Sequence, residues 1–367
     1  MLPLIGALVL ASLGASAALT LAARTLGRRL LLLDSPGAPG HAKVLRGVPN
    51  TGGIAIFWTV ALPIALGLAL ARLVPDAALP DALRPHAPGL REQTPMALCV
   101  LLSMLLLHLT GLIDDRRPLG PLIKLGVMVL AAAAPAVLFD VRLLELLDAR
   151  VGGPWLSIAL TVAWIVLVTN AMNFMDNMDG LAAGVGLVAS GLFLAAALVN
   201  GQWFVAMTLA LLTGALGGFL VFNAPRRGGA TIFMGDAGSL VVGYLLAILT
   251  VRTTYYQTGS GGWYALFMPL SVLAVPMYDL VTVSVIRIAS GRSPLVGDQR
   301  HFSHRLRARG LSTGATLVII AGLAGVTGIG GVLLGQVGPW QAALIGLQTV
   351  LALLVLALFE FAPGSRP

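Results

Sequence analysis

Charge is scarce in this chain. Asp, Glu, Lys and Arg together make up only 10% of its 367 residues, against roughly 25% in soluble domains. A fold of this length with water on all sides cannot cover its surface with so few charges, which excludes a cytosolic globular enzyme. A 57% hydrophobic content excludes a disordered chain. Cysteine is nearly missing as well. Cys99 is the single one, so neither an intramolecular disulfide nor a cysteine metal site can form. Acidic residues, 15 in all, are outnumbered by 23 basic ones. In a chain this apolar, that excess reads first as a topology signal and not as a nucleic-acid surface.

Long apolar runs are what the chain has in abundance. They fall at about 3–23, 54–74, 95–113, 122–139, 155–171, 181–199, 203–222, 239–255, 264–287, 314–335 and 339–361. Each is close to the ~20 residues a bilayer span needs. The expected architecture is all-α: a single polytopic membrane domain over 1–367 with about 10–11 spans. Arg24, Arg28 and Arg29 follow the first run and no basic residue precedes it, which favours an uncleaved anchor with its N-terminus outside. With that start, 17 of the 23 basic residues fall on inside loops and 6 on outside loops. Count, parity and orientation agree. The longest polar segments, 24–53, 75–94 and 288–313, read as loops.

The acids are placed unevenly. Asp34, Asp114, Asp115, Asp176, Asp179, Asp236, Asp279 and Asp298 all lie at or near the inner ends of the runs, and none of these eight is Glu. Carboxylates at a membrane interface are costly enough to be functional candidates. Asp114 and Asp115 are adjacent, so on a helix they point about 100° apart and are expected to do different jobs, one toward a metal and the other toward a substrate. Asn170, Asn173, Asp176 and Asp179 repeat every three residues and form one polar stripe if helical, although Asp179 is also placed to cap the next helix. In Phe233-Met-Gly-Asp236-Ala-Gly-Ser239, a helix N-terminus favours phosphate, and Asp236 is placed to hold a cation against it. The fourth cluster is the basic loop 288–313, with Asp298, Arg300, His301, His304, Arg305, Arg307 and Arg309. With His41 and Lys43 also on the inner side, it reads as a clamp for phosphate or sugar. Oxygen donors of this kind suit magnesium, which binds one or two carboxylates plus substrate phosphates.

Taken in order, the motifs resemble the polyprenyl-phosphate N-acetylhexosamine-1-phosphate transferases. These include phospho-MurNAc-pentapeptide translocase and the UDP-GlcNAc:undecaprenyl-phosphate GlcNAc-1-phosphate transferases. The resemblance covers residues 1–335. It rests on Pro49-Asn-Thr-Gly-Gly53, Asp114-Asp115 with Lys124, Asn170 to Gly180, Ile232 to Ser239, Pro276-Met-Tyr-Asp279, and Gly291-Arg-Ser-Pro294 to His304. It implies a ten- or eleven-helix enzyme of the inner or plasma membrane, often a homodimer, with its site on the cytoplasmic face. It implies dependence on Mg2+, with Mn2+ as a substitute. In the implied reaction undecaprenyl phosphate attacks the β-phosphate of a UDP-N-acetylhexosamine and UMP leaves. By motif position, Asp236 resembles the principal metal ligand, with Asp176 beside it. Asp114 or Asp115 resembles the group that handles the acceptor phosphate. Lys124, Asn173, Asp176, Asp179, Arg292, His301 and His304 resemble the substrate-binding set.

Two departures mark this chain within that family. The tight run of three histidines usual in phospho-MurNAc-pentapeptide translocases is missing. Asp298-x-x-His301-x-x-His304, with Ser303 in place of a middle histidine, is closer to the GlcNAc branch. The basic residue usual before Ile232 is replaced by Thr231, and Arg226 or Arg227 is expected to supply that charge. A UbiA-like prenyltransferase would carry a second Asp-rich motif several helices later. A transporter would place its charges near the bilayer midplane. Neither fits this distribution of acids.

Overall fold

In the computed structural model, residues 1–33, 46–79, 81, 84–253, 262–294 and 300–361 are described. The apolar runs form helices because each keeps its backbone donors and acceptors bonded internally, as a membrane demands. In chain order they are α1 (Leu2–Arg29), α2 (Gly52–Leu73), α3 (Ala87–Asp114), α4 (Pro121–Leu138), the single turn α5 (Asp148–Val151), α6 (Trp155–Met175), α7 (Leu181–Val199), α8 (Trp203–Asn223) and α9 (Asp236–Arg252). They continue with α10 (Met268–Val272), α11 (Ala274–Ala289), α12 (Phe302–Ala308), α13 (Thr313–Leu333) and α14 (Pro339–Phe361). Among the described residues the one β feature is an isolated bridge between Leu33 and Pro49.

Nine of these helices are long and apolar enough to cross a membrane, ten if α10 and α11 count together. The eleven expected spans are therefore all helical, with two differences. The run at 264–287 is not one straight helix. It bends by 69° between α10 and α11, where Pro276 lacks the N–H that would continue the ladder across Leu273. The run at 239–255 is α9, only 17 residues long, or about 26 Å. Every residue from Ala237 to Thr250 is buried. A helix apolar on all faces belongs inside a bundle, and α2, α3, α6, α7 and α8 surround it. The expected loops also hold more structure. Residues 87–94 start α3, and 288–313 contains α12.

Small residues set the close packing. Ser12 and Ser16 of α1 donate to the Leu211 and Ala215 carbonyls of α8, each at 2.6 Å. A Cβ added at Gly218 of α8 would come within 2.3 Å of the Leu13 carbonyl oxygen. In lipid, helices associate through such contacts because burying apolar surface gives little drive. At the end of the chain Glu360 is 4% exposed. It accepts hydrogen bonds from Tyr278 of α11 (2.6 Å) and Arg305 of α12 (2.9 Å), tying α14 to both.

Candidate active site

The ends of α2, α3, α6, α8, α9, α11 and α12 meet on one side of the bundle. The segment before α9 is laid down by the Pro49–Gly53 motif. Phe233 N–H donates to the Pro49 carbonyl (2.8 Å), and Gly52 and Gly53 N–H donate to the Phe233 and Met234 carbonyls (2.9 Å each). The buried Asn223 side chain donates to the Ile232 carbonyl (2.9 Å) and accepts from Gly180 N–H (3.0 Å). It thereby joins the loop after α6 to the segment before α9. Gly235 turns the chain with φ of 69°. Any side chain there would meet Asn50 Oδ1 and Asp115 Oδ2 at 2.5 Å.

Asp115 caps α9 from a different helix. Its Oδ1 accepts Asp236 N–H (3.0 Å) and Asn50 Nδ2 (2.9 Å), and its Oδ2 accepts Ala237 N–H (3.2 Å). The next two N–H groups, of Gly238 and Ser239, bond to the Gly235 carbonyl at 3.0 Å. Three of the four donors that a helix start leaves free, the N–H groups of Asp236, Ala237 and Gly238, are thus bonded within the protein. The phosphate expected at that N-terminus would have to displace Asp115. Burial, with the Asp236 carboxylate alongside, pushes the Asp115 carboxyl up to about 8. The three N–H donors oppose that shift.

The adjacent acid does something else. Asp114 accepts Leu119 N–H (2.8 Å) through Oδ1 and Lys124 Nζ (3.0 Å) through Oδ2. The same ammonium donates to Asp236 Oδ2 at 2.8 Å. Asn173 Nδ2 donates to Asp236 Oδ1 and to Ser239 Oγ, both at 2.9 Å. Asp114, Lys124, Asn173 and Asp236 therefore form one connected cluster, partly open to solvent. Two carboxylates, Asp114 and Asp236, on one ammonium leave net negative charge. Among the described residues no three His, Cys, Asp or Glu gather as a closed metal site. A pair of carboxylates that needs phosphate and water to complete a coordination sphere fits magnesium and not zinc.

A second half-site lies at the same end of α6, about 100° around the helix from Asn173. Asp279, fully buried in α11, accepts His301 Nδ1 (2.7 Å) and the Phe302 N–H that opens α12 (2.9 Å). Phe174, next to Asn173, has its ring edge-on to His301 at 5.3 Å. The guanidinium of Arg287 lies over that ring at 5.1 Å. Ser303 donates to Asn177, so the residue standing where a histidine is usual locks α12 to the loop after α6. Burial, together with His301 and Arg307, holds the His304 pKa below the ordinary imidazole value.

Other expectations are redistributed. The polar stripe stops with the helix. α6 ends at Met175, Asp176 is its C-cap, and Asn170 turns to Met128 Sδ and the Val166 carbonyl. Asp179 neither continues the stripe nor caps α7, whose N-cap is Gly180. It takes a two-pronged contact from Arg46 (2.8 and 2.9 Å) and accepts Ala230 N–H (2.8 Å). Arg226 and Arg227 are exposed. The basic groups beside the α9 segment are instead Arg46, over the Phe233 ring at 5.2 Å, and Arg24, on Thr231 Oγ1 at 3.4 Å. Arg292 is exposed just after α11. Asp34, His41, Lys43 and Asp298 lie outside the described residues. Sequence reasoning assigned no role to Asn50, Arg46, Asn223 or Arg287. Asn50 had a signal in its motif, whereas Asn223 and Arg287 had none beyond being polar at helix ends.

Comparison with known proteins bears directly on this arrangement. Residues 97–254 match the model of glycosyl transferase family 4. The chain is 33% identical to the decaprenyl-phosphate N-acetylglucosaminephosphotransferase of Mycolicibacterium smegmatis, over 84% of this chain and 77% of that protein. The chain belongs to glycosyl transferase family 4. It is also 28% identical to a probable undecaprenyl-phosphate N-acetylglucosaminyl 1-phosphate transferase of Bacillus subtilis, over 86% of this chain and 81% of that one. Similarity to a phospho-N-acetylmuramoyl-pentapeptide-transferase of Shouchella clausii is 31% over 59% of this chain. The family 4 match runs from within α3 through α9 and so contains the whole Asp114, Lys124, Asn173 and Asp236 cluster.

Proposed function

We propose that this multi-pass membrane protein transfers N-acetylglucosamine 1-phosphate from UDP-GlcNAc to a polyprenyl phosphate and releases UMP. An oxygen of the lipid phosphate bonds to the β-phosphorus, and the bond from that phosphorus to the oxygen bridging to the α-phosphate breaks. The observation that carries the reading is the connected cluster of Asp114, Lys124, Asn173 and Asp236, next to the Phe174, Arg287 and His301 group. This layout suits two anionic substrates meeting end to end. GlcNAc is favoured over MurNAc-pentapeptide because the relatives matched over most of their length carry GlcNAc in their names.

Asp236 and Asp114 would hold magnesium, with Asp176 at the adjacent helix end. The ion supplies charge neutralisation on the pyrophosphate and on departing UMP. The protein's own part is positioning, which phosphoryl transfer needs more than covalent help. Lys124 keeps two carboxylates from repelling each other, and Asn173 fixes the rotamer of Asp236. The acceptor phosphate is largely dianionic near pH 7, since the second pKa of a phosphate monoester is about 6. Direct attack therefore needs little from a general base. The excess of basic residues on loops at the site's end supports a cytoplasmic site with the N-terminus outside.

The test uses detergent-solubilised protein, undecaprenyl phosphate and a panel of UDP-N-acetylhexosamines, with UMP release as the readout. UDP-GlcNAc with Mg2+ is expected to be the best donor, and Asp236→Asn is expected to abolish turnover. Near-normal activity in that variant would overturn the metal assignment.

A further inference from the structure

His108 lies about two turns from the C-terminal end of the apolar helix α3. It is 3% exposed, and its ring lies flat on Phe57 of α2, 4.3 Å between centroids at 6°. Its Nδ1 is 2.9 Å from the Ala237 carbonyl oxygen. That partner only accepts, so the ring nitrogen donates. His108, Gly111 and Asp115 stand at i, i+3 and i+7 on α3, and therefore on one face. All three meet the first turn of α9. Asp115 accepts Ala237 N–H at 3.2 Å, Gly111 leaves room for the backbone between them, and His108 donates to the carbonyl of the same residue. Ala237 is gripped at both of its backbone polar groups by one helix. The residue before it is Asp236.

We propose that His108 is a positioning residue for Asp236. Asp115 alone fixes where α9 begins but leaves the helix free to turn about that cap. A second hydrogen bond two turns along α3, on the opposite polar group of Ala237, removes that freedom. It holds the Asp236 carboxylate in line with Lys124 and Asn173. The stack on Phe57 keeps the imidazole from rotating away from the carbonyl. A buried ring donor in this place needs a polar partner, and it has found the carbonyl of the residue after Asp236.

The inference rests on the transferase reading, and its test separates the two. Full-length His108→Phe keeps the flat ring and loses the donor. His108→Asn places an amide nitrogen near Nδ1, and His108→Gln places one near Nε2. Three quantities are measured: kcat for UMP release, KM for the donor, and the magnesium-induced rise in melting temperature without substrates. His108→Phe is expected to lower kcat by about tenfold or more, the scale of a sub-ångström misplacement. It should also shrink the magnesium-induced shift and change donor KM by less than about twofold. His108→Asn should recover most of both losses, and His108→Gln should not. A wild-type rate and magnesium shift in His108→Phe overturns the proposal. So does equal behaviour of the Asn and Gln variants, which remain comparable if the Phe variant does not fold. Absence of UMP release from the wild type with every donor refutes the transferase reading instead.

Discussion

Gly111→Ala asks how tightly the start of α9 is set. A Cβ at position 111 would lie 2.3 Å from Ala237 N, 2.4 Å from Ala237 Cα and 2.5 Å from the Asp236 carbonyl carbon. All three are backbone atoms, so no side chain can swing aside. Relief to about 3.4 Å requires α3 and α9 to separate by about 1 Å. The bonds that bridge the two helices, Asp115 to the Asp236 and Ala237 N–H groups at 3.0 and 3.2 Å and His108 to the Ala237 carbonyl at 2.9 Å, would stretch past hydrogen-bond range, and Asp236 would shift against Lys124 and Asn173. Overpacking of this kind costs about 1–3 kcal/mol, and a 1 Å misplacement at a reacting centre costs about a hundredfold in rate. The expected result is kcat reduced about a hundredfold with a melting temperature a few degrees lower. Gly126→Ala in α4 is the control. Nothing lies within 4 Å of a Cβ there, and alanine is the better helix former by up to about 1 kcal/mol, so rate and stability should hold or rise slightly. UMP release and thermal unfolding are measured on both. Retention of more than half the wild-type rate in Gly111→Ala would refute the claim that the backbone of α3 positions Asp236.

Two further outcomes follow from ion pairs away from the carboxylate cluster. Arg46→Ala and Asp179→Asn should give the same modest loss of melting temperature, about 1 kcal/mol for a half-exposed pair. The double variant should be no worse than either single one, whereas a raised donor KM confined to Asp179→Asn would show that Asp179 touches substrate. Glu360→Gln leaves Arg305 short of its charge partner in a buried setting, and breaking such a pair costs about 3–5 kcal/mol. Its donor KM should rise because α12 loses its anchor, and replacing both Glu360 and Arg305 by Leu should restore the melting temperature but not the KM.

The site was legible in the sequence by position more than by role. Asp114-Asp115, Asn173 and Asp236 stood out because polar residues are few and cluster at the ends of apolar runs, and Pro49–Gly53 and Lys124 entered through the family resemblance. Their partners did not stand out. The period of three from Asn170 to Asp179 looked like one helical face, but α6 stops at Met175. Asp179 is then drawn 133 positions back along the chain to Arg46. Position 108 drew no reading from the sequence, since its partner is a backbone carbonyl 129 residues away, and no side-chain pattern reports a carbonyl.

What the sequence determined by itself is the solvent and the approximate placement of the apolar runs. A chain with 10% charged residues must bury its runs in lipid, and the scarce charges gather at the ends of those runs. Hydropathy and charge are sums over residues, so they survive without coordinates. What only the tertiary structure decided is the division of labour among the acids. Asp115 caps α9 across 121 residues of chain, while Asp114, its neighbour, turns to Lys124. A carboxylate takes its role from whichever donor stands within about 3 Å. In this bundle those donors come from helices far apart in sequence, brought together by glycines that let backbones touch.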